Sequence, residues 1–198
     1  MFPLPPGTQM LLWMNAIAFI ADSFLDGRIS GELALWPIGS DALGAPGFMP
    51  WQLFTYSFFH EGFLHIFVNM LGLVMFGSDV ERVWGRNRFL TYYFTCVLSA
   101  GVTQLLFTWF TGSMYPTVGA SGGIFGLLLA FAILFPRRTV MLIFPPIPMP
   151  AWLFVTLFGA IELFQGVSGT QAGVAHFAHL GGMFGGWLLI WYGRGKRS

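Results

Sequence analysis

Charge is what this chain has least of. Only 9% of its 198 residues are Asp, Glu, Lys or Arg, against about 25% in soluble domains. Hydrophobic residues make up 56%, and the mean hydropathy is +0.71. That balance excludes an ordinary soluble fold and reads as an integral membrane protein. Cysteine is nearly absent as well: Cys96 stands alone in an apolar run, so there is no disulfide framework and no sign of redox compartment. The leader Met1-Phe2-Pro3-Leu4-Pro5-Pro6-Gly7 has no basic region of the kind that opens a signal peptide, so the first apolar run is expected to be a retained span. Internal repeats and low-complexity tracts are missing too. Six apolar spans of roughly 20 residues leave only short loops, so one membrane domain is expected over 1–198.

What is there divides into six apolar stretches, approximately 10–24, 62–77, 89–110, 121–135, 151–164 and 174–192. The connection from Gly27 to His60 is too apolar for a solvated linker and too broken for a span. Its Trp36, Pro37, Pro46, Pro50 and Trp51 suggest a structured loop in the membrane interface. A charged turn, Asp79 to Arg88, is expected after the second span. Thr111 to Pro116 closes the third, and the Pro-rich Phe144 to Pro150 precedes the fifth. A Gly/Ser/Thr turn, Gln165 to Gly173, leads to the sixth.

Eight basic residues (Arg82, Arg86, Arg88, Arg137, Arg138, Arg194, Lys196 and Arg197) follow spans two, four and six, and only Arg28 lies on the other side. The positive-inside rule then puts both termini in the cytoplasm. Short loops and the lack of a transit segment favour a bacterial inner membrane.

The fourth span holds the stretch of greatest chemical interest. Ser121 sits in Gly119-Ala120-Ser121-Gly122-Gly123-Ile124-Phe125-Gly126, where a polar turn becomes an apolar helix. A hydroxyl at a helix N-terminus has unpaired N–H groups around it that can hold a developing negative charge. The span ends at Pro136 and, at about 1.5 Å per residue, falls well short of the roughly 30 Å hydrocarbon core. It must therefore begin below the membrane surface, which puts Ser121 at depth. Taken alone, an N-cap serine on a small-residue packing face would explain the stretch as well.

Polar residues in the other spans change the balance. His65 and Asn69, at i and i+4, share one face of the second span and could donate to one point, as an oxyanion requires. An interhelical bond that only joins spans is the plain alternative. His179 carries Gly182 and Gly186 on its own face, and the Gly122–Gly126 stripe offers a partner surface. Packing the stripes together would bring His179 against Ser121 as nucleophile and general base. His176, three residues earlier, leaves the choice of base open. Glu162, inside the fifth apolar run, could orient a histidine. It reads more simply as protonated or bonded at the interface, and is not assigned to catalysis. The four histidines give only a weak metal signal, without a compelling nearby carboxylate or thiol.

Together these residues resemble the rhomboid family of intramembrane serine proteases, over nearly the whole chain and in order. His60, His65 and Asn69 stand as H-x4-H-x3-N, and Glu81 to Gly85 as E-x-x-x-G. Gly119 to Gly122 fits G-x-S-G, and Ala178 to Gly182 with Gly186 fits A-H-x-x-G-x-x-x-G. The resemblance implies an all-α, six-transmembrane-helix bundle with a membrane-embedded first loop. It selects His179 over His176 and makes Ser121–His179 a catalytic dyad acting through an acyl-enzyme. His65, Asn69 and the Ser121 N–H would form the oxyanion hole, supported by Gly119, Phe125, Gly182, Gly186 and His60. It also implies that span five and the following loop gate lateral entry, and that the substrates are single-span membrane proteins cut in or near their transmembrane segment. The lipid bilayer is the other expected partner; no cofactor, metal or nucleic acid is expected.

Two positions depart from the family. Trp51-Gln52 replaces the Trp-Arg of many bacterial members, and Phe125 stands where a tyrosine commonly stacks on the catalytic histidine. Other readings are a non-catalytic rhomboid-like protein that holds membrane clients, and a small transporter. Ser121, His179, His65 and Asn69 occurring together disfavour the first. A lack of paired charges and interrupted half-helices disfavours the second.

Overall fold

A computed structural model describes residues 3–141, 145–169 and 174–195, the side chains of 194 and 195 excepted. Six long helices cover the expected spans: α1 Pro6–Phe24, α2 Phe63–Trp84, α3 Arg86–Thr111, α4 Ser121–Leu134, α5 Ala151–Ser168 and α6 His176–Gly195. Among the described residues α2, α3 and α5 are long and apolar enough to cross a membrane, and α4 is a shorter apolar helix. The molecule is an all-α membrane bundle. Many large apolar side chains, such as Ile17, Phe63, Trp109, Phe110, Phe164 and Trp191, are exposed on the outside of the helices, as a lipid-facing surface requires.

Several boundaries differ from those the sequence suggests, each for a local reason. Helix α1 begins at Pro6 rather than near residue 10, because proline suits the first turn. Its N-terminal donors find a distant acceptor. Glu81 of α2, buried to 3% exposure, accepts from Gly7 N at 2.7 Å, Thr8 N at 2.6 Å and Thr8 Oγ1 at 2.8 Å. The expected charged turn Asp79 to Arg88 is mostly helix. A π-helical segment, Leu73–Gly77, leads into Ser78–Trp84, and the chain turns only at Gly85, whose φ of 74° disfavours side chains. Helix α5 continues to Ser168, past the expected end at 164. The Pro-rich stretch holds an unforeseen hairpin: β1 Thr139–Met141 pairs antiparallel with β2 Pro148–Pro150, Val140 opposite Met149. Phe144, the Thr170–Gly173 part of the loop before α6, and the terminal Lys196 and Arg197 lie outside the described residues.

Arg82, Arg86 and Arg138 gather at one end of the bundle. Asp79 on α2 pairs with Arg82 and with Arg138, just beyond α4. Arg82 also reaches the Pro3 carbonyl, and Arg86 lies against Met10.

The centre of the bundle is α6 packed between α3 and α4. Close approach comes from small residues. Gly122 of α4 meets Ala100 of α3 and backbone of α6, and Gly182 of α6 meets the Gly122 backbone. The two glycine stripes therefore touch at Gly122 and Gly182, as the sequence suggests. Their other members face α3 more than each other: Gly126 lies on Cys96, and Gly186 on the Tyr92 hydroxyl and Cys96. Two interhelical hydrogen bonds fix this packing, Ser99 Oγ to Gly181 O and Tyr92 Oη to Gly126 O, both 2.8 Å.

The first loop is ordered by short helical turns, including Arg28–Leu33, Gln52–Thr55 and Tyr56–Phe58. Gln52 stands at its centre, 1% exposed. Its Oε1 accepts from Trp36 N and Met49 N, and its Nε2 donates to the carbonyls of Glu32 and Gly47. An uncharged amide thus serves the anchoring position where Gln52 departs from the expected arginine. The Tyr56 hydroxyl donates to Val97 O of α3 and ties the loop to the bundle.

Candidate active site

Helix α4 is preceded by an extended segment that is held from both sides. Leu35 and Thr117 exchange backbone hydrogen bonds of 2.9 and 3.0 Å, and Gly119 N donates to Tyr56 O at 3.0 Å. Gly119 has a φ of 132°, and a side chain there would run into His65 at 2.9 Å from its Nε2. Only glycine suits both conditions. Ser121 follows as the first residue of α4, where its N–H has no intrahelical acceptor.

Opposite it, His179 closes the first turn of α6 and is almost buried. Its Nε2 is 2.7 Å from Ser121 Oγ, with the hydrogen on either atom by geometry alone. Phe125, one turn past the serine, stacks on the imidazole with centroids 4.4 Å apart and planes 5° from parallel. The stacking face expected of an aromatic ring here is retained without a hydroxyl.

His65 and Asn69 of α2 line the same cavity as Ser121, Gly119 and His179, a space of about 740 Å³. The carboxamide of Asn69 is turned inward along its own helix: Nδ2 donates to His65 O at 2.8 Å, and Oδ1 has no partner among the described residues. His60 meets His65 edge to face, centroids 4.9 Å apart. Burial, with His65 beside it, pushes His60 down to about 3, and the neutral ring packs on His65 rather than lining the cavity. Gly182 and Gly186 sit behind His179 in the helix contacts already described.

The structure thus brings Ser121, His179, His65, Asn69, Gly119 and Phe125 to one cavity. It also places two residues that sequence reasoning left unassigned. Glu162 of α5 finds its partners inside the bundle: its Oε2 lies 2.7 Å from His176 Nδ1 and 2.9 Å from His179 Nδ1. All three groups offer ligand atoms within 4.8 Å of one another, so a carboxylate does stand by two histidines here. The signals in the sequence were a lone acid in an apolar run and the i, i+3 spacing of the histidines. Neither tells which helix faces of α5 and α6 meet.

The chain is similar to known proteins over most of its length. A family model described as the Rhomboid domain matches residues 47–196. Rhomboid protein 1, mitochondrial, of Saccharomyces cerevisiae is 30% identical over 145 residues, covering 69% of this chain and 40% of that protein. Rhomboid protease GluP of Bacillus subtilis is 32% identical over 140 residues, covering 70% of this chain and 25% of that protein. Putative rhomboid protease YdcA, also of Bacillus subtilis, is 31% identical over 142 residues, covering 70% and 65%. The chain spans less than two thirds of the length of each of these relatives.

Proposed function

The chain belongs to the rhomboid family, and we propose that it is an intramembrane serine endopeptidase. One observation carries this reading above the rest: Ser121 Oγ lies 2.7 Å from His179 Nε2 in the wall of a cavity that also presents His65 and Asn69. Nucleophile, base and oxyanion donors on one side of a space large enough for an extended peptide are what acyl transfer needs.

In the proposed reaction Ser121 Oγ attacks the scissile carbonyl carbon while His179 Nε2 takes its proton. The oxyanion forms against the Ser121 N–H at the start of α4, with His65 and Asn69 donating from α2. For that, the Asn69 amide must exchange its bond to His65 O for one to the oxyanion. Collapse breaks the C–N bond, and the leaving amine takes the proton from His179. Water then attacks the acyl-enzyme, giving its proton to His179, and the second collapse breaks the C–Oγ bond, Ser121 Oγ taking the proton back from His179 as the acid is freed. Phe125 limits the tilt of the imidazole throughout.

The substrates of this reading are single-span membrane proteins, cut in or near their transmembrane segment. They would enter from the bilayer past α5 and the loop that follows it. In this reading the fold acts as one rhomboid membrane domain over 1–198, with both termini on the cytoplasmic side by the eight-to-one distribution of basic residues.

The test is cleavage of a fluorescent single-span substrate by purified protein, with a fluorophosphonate probe in parallel. Wild type is expected to cleave and to label, and both Ser121→Ala and His179→Ala to lose activity by at least about 10³-fold. Cleavage that survives Ser121→Ala would remove the proposed nucleophile. Absence of both cleavage and labelling in wild type would favour a client-binding protein instead.

A further inference from the structure

The family resemblance implies two catalytic groups, yet a third polar side chain lies directly behind the second. Glu162 is on α5, a different helix from His179, and 9% exposed. Its Oε2 sits 2.9 Å from His179 Nδ1, on the side of the ring away from Ser121. The chain of atoms therefore runs Ser121 Oγ, His179 Nε2, His179 Nδ1, Glu162 Oε2. A buried carboxylate in an apolar bundle is expensive unless donors surround it, and here the donors on offer are two imidazoles.

The two contacts differ in quality. His176 Nδ1 is 2.7 Å from Oε2 and aligned for a hydrogen bond. The His179 contact is short, but the oxygen lies off the axis of the ring N–H. His176 therefore fixes the carboxylate, and a small rotation of the His179 ring or of Glu162 completes the second bond.

We infer that Glu162 is a positioning residue, held by His176, that keeps the hydrogen of His179 on Nδ1 and so leaves the Nε2 lone pair to Ser121. The physical reason is the tautomer. A bare Nδ1 would set its lone pair against a carboxylate oxygen at 2.9 Å; an Nδ1–H turns the same contact into attraction. The arrangement has the logic of a Ser–His–acid triad, in which the acid orients the base and stabilises its protonated form without taking the proton. It also ties the base on α6 to α5, so movement of α5 would be felt at the dyad. The inference rests on the Ser121–His179 reading for its effect on rate, and on geometry alone for the tautomer.

The test compares Glu162→Gln, Glu162→Asp and His176→Ala with wild type. Glu162→Gln keeps the shape but offers an amide that can donate to Nδ1 and favour the wrong tautomer. It is expected to lower kcat by about 10- to 10³-fold with KM within about twofold, an effect in the manner of other triads that lose their acid. Glu162→Asp should recover much of that loss, and His176→Ala should show a smaller loss of the same kind. Nitrogen NMR of histidine-labelled protein reads the tautomer directly, whatever the activity: His179 should be protonated on Nδ1 in wild type and lose that preference in Glu162→Gln.

A Glu162→Gln enzyme with unchanged kcat and unchanged His179 nitrogen signals overturns the inference. So does an aspartate variant as inactive as the glutamine one with both melting early, which would make Glu162 a packing element only. Wild-type activity that rises on chelation, with the effect lost in Glu162→Gln, overturns it in favour of a bound cation at the same three groups. If wild type neither cleaves nor labels, the protease reading fails by itself, and the NMR comparison still decides the role of Glu162.

Discussion

Replacing Gly182 by alanine should impair the proposed protease at a distance from its chemistry, by an amount the helix contact allows one to work out. A methyl built on Gly182 falls 2.8 Å from the carbonyl carbon of Gly122 and closer still to its oxygen. Ordinary contact begins at 3.4 Å, and the obstacle is helix backbone, which has no rotamer to retreat into. α4 and α6 must therefore separate locally by about 1 Å or more, as overpacked cores do. Ser121 is the residue before Gly122, and His179 is three residues before Gly182. Their 2.7 Å contact stretches with the helices, out of hydrogen-bond range. A misplacement of about 1 Å can lower a rate by about 10²-fold, and overpacking typically destabilises by about 1–3 kcal/mol. The assay is the rate of fluorophosphonate labelling at Ser121, with thermal unfolding measured on the same samples. Gly159→Ala on α5 is the control, because its methyl meets only the Met183 side chain at 3.6 Å and should leave both readouts unchanged. A Gly182→Ala protein that labels at the wild-type rate would refute the reasoning, since the dyad distance would then not depend on this contact.

Other perturbations test the supports of the site. Glu81→Ala removes the acceptor of three hydrogen bonds at the start of α1; bonds to charged groups contribute about 1.5–3 kcal/mol each but not additively. An early melt of several degrees is expected, and an unchanged melting temperature would mean the α1 terminus is satisfied otherwise. Gln52→Ala leaves two N–H groups and two carbonyls of the first loop without their acceptor or donor. It should destabilise by about 1–3 kcal/mol and raise proteolysis within residues 27–60; full protection there would contradict the anchor. Phe125→Ala removes the ring stacked on His179, and a loss of stacking worth about 0.5–1.5 kcal/mol corresponds to at most about tenfold in kcat. Phe125→Tyr, which keeps the face, should stay within about threefold of wild type on the same scale.

Much of the architecture was legible because it depends on composition and local spacing. Apolar runs located the helices, and Pro136 and Pro150 marked the end of α4 and the start of α5. The cavity residues were legible because serine, histidine and asparagine are conspicuous in apolar helices. What escaped depends on partners far along the chain. Glu81 looks like one more charge in a turn until Gly7 and Thr8 arrive from more than seventy residues away. The extension of α2 through Asp79 and Arg82 was hidden because charged residues at a membrane edge suit a helix end as well as a loop. Glu162 and His176 escaped for the same reason: one helix sequence gives the face a residue occupies, not the face that packs against it. The glycine stripes were half legible, since small residues announce close packing without saying whether α3 or α4 is the neighbour.

The depth of Ser121, the proposed nucleophile, depends on the first loop as much as on α4. A helix of 14 residues spans about 21 Å at 1.5 Å per residue, so the chain before it must run irregularly below the membrane surface. Irregular backbone at that depth is tolerated only where protein or enclosed water satisfies its polar groups. Here the first loop does so: Leu35 bonds both backbone groups of Thr117, and Tyr56 O accepts from Gly119 N. Those two loop residues are themselves fixed, Tyr56 by its hydroxyl on α3 and the Leu35 region by Gln52 bonding the neighbouring Trp36 N. Loosening Gln52 should therefore do more than expose a surface loop. It should free the segment that holds Ser121 at the mouth of α4, so that labelling at Ser121 slows before the bundle unfolds. An equal fall of labelling and of helical signal on heating Gln52→Ala would show that loop and nucleophile are lost only with the whole fold, and the coupling argued here would be absent.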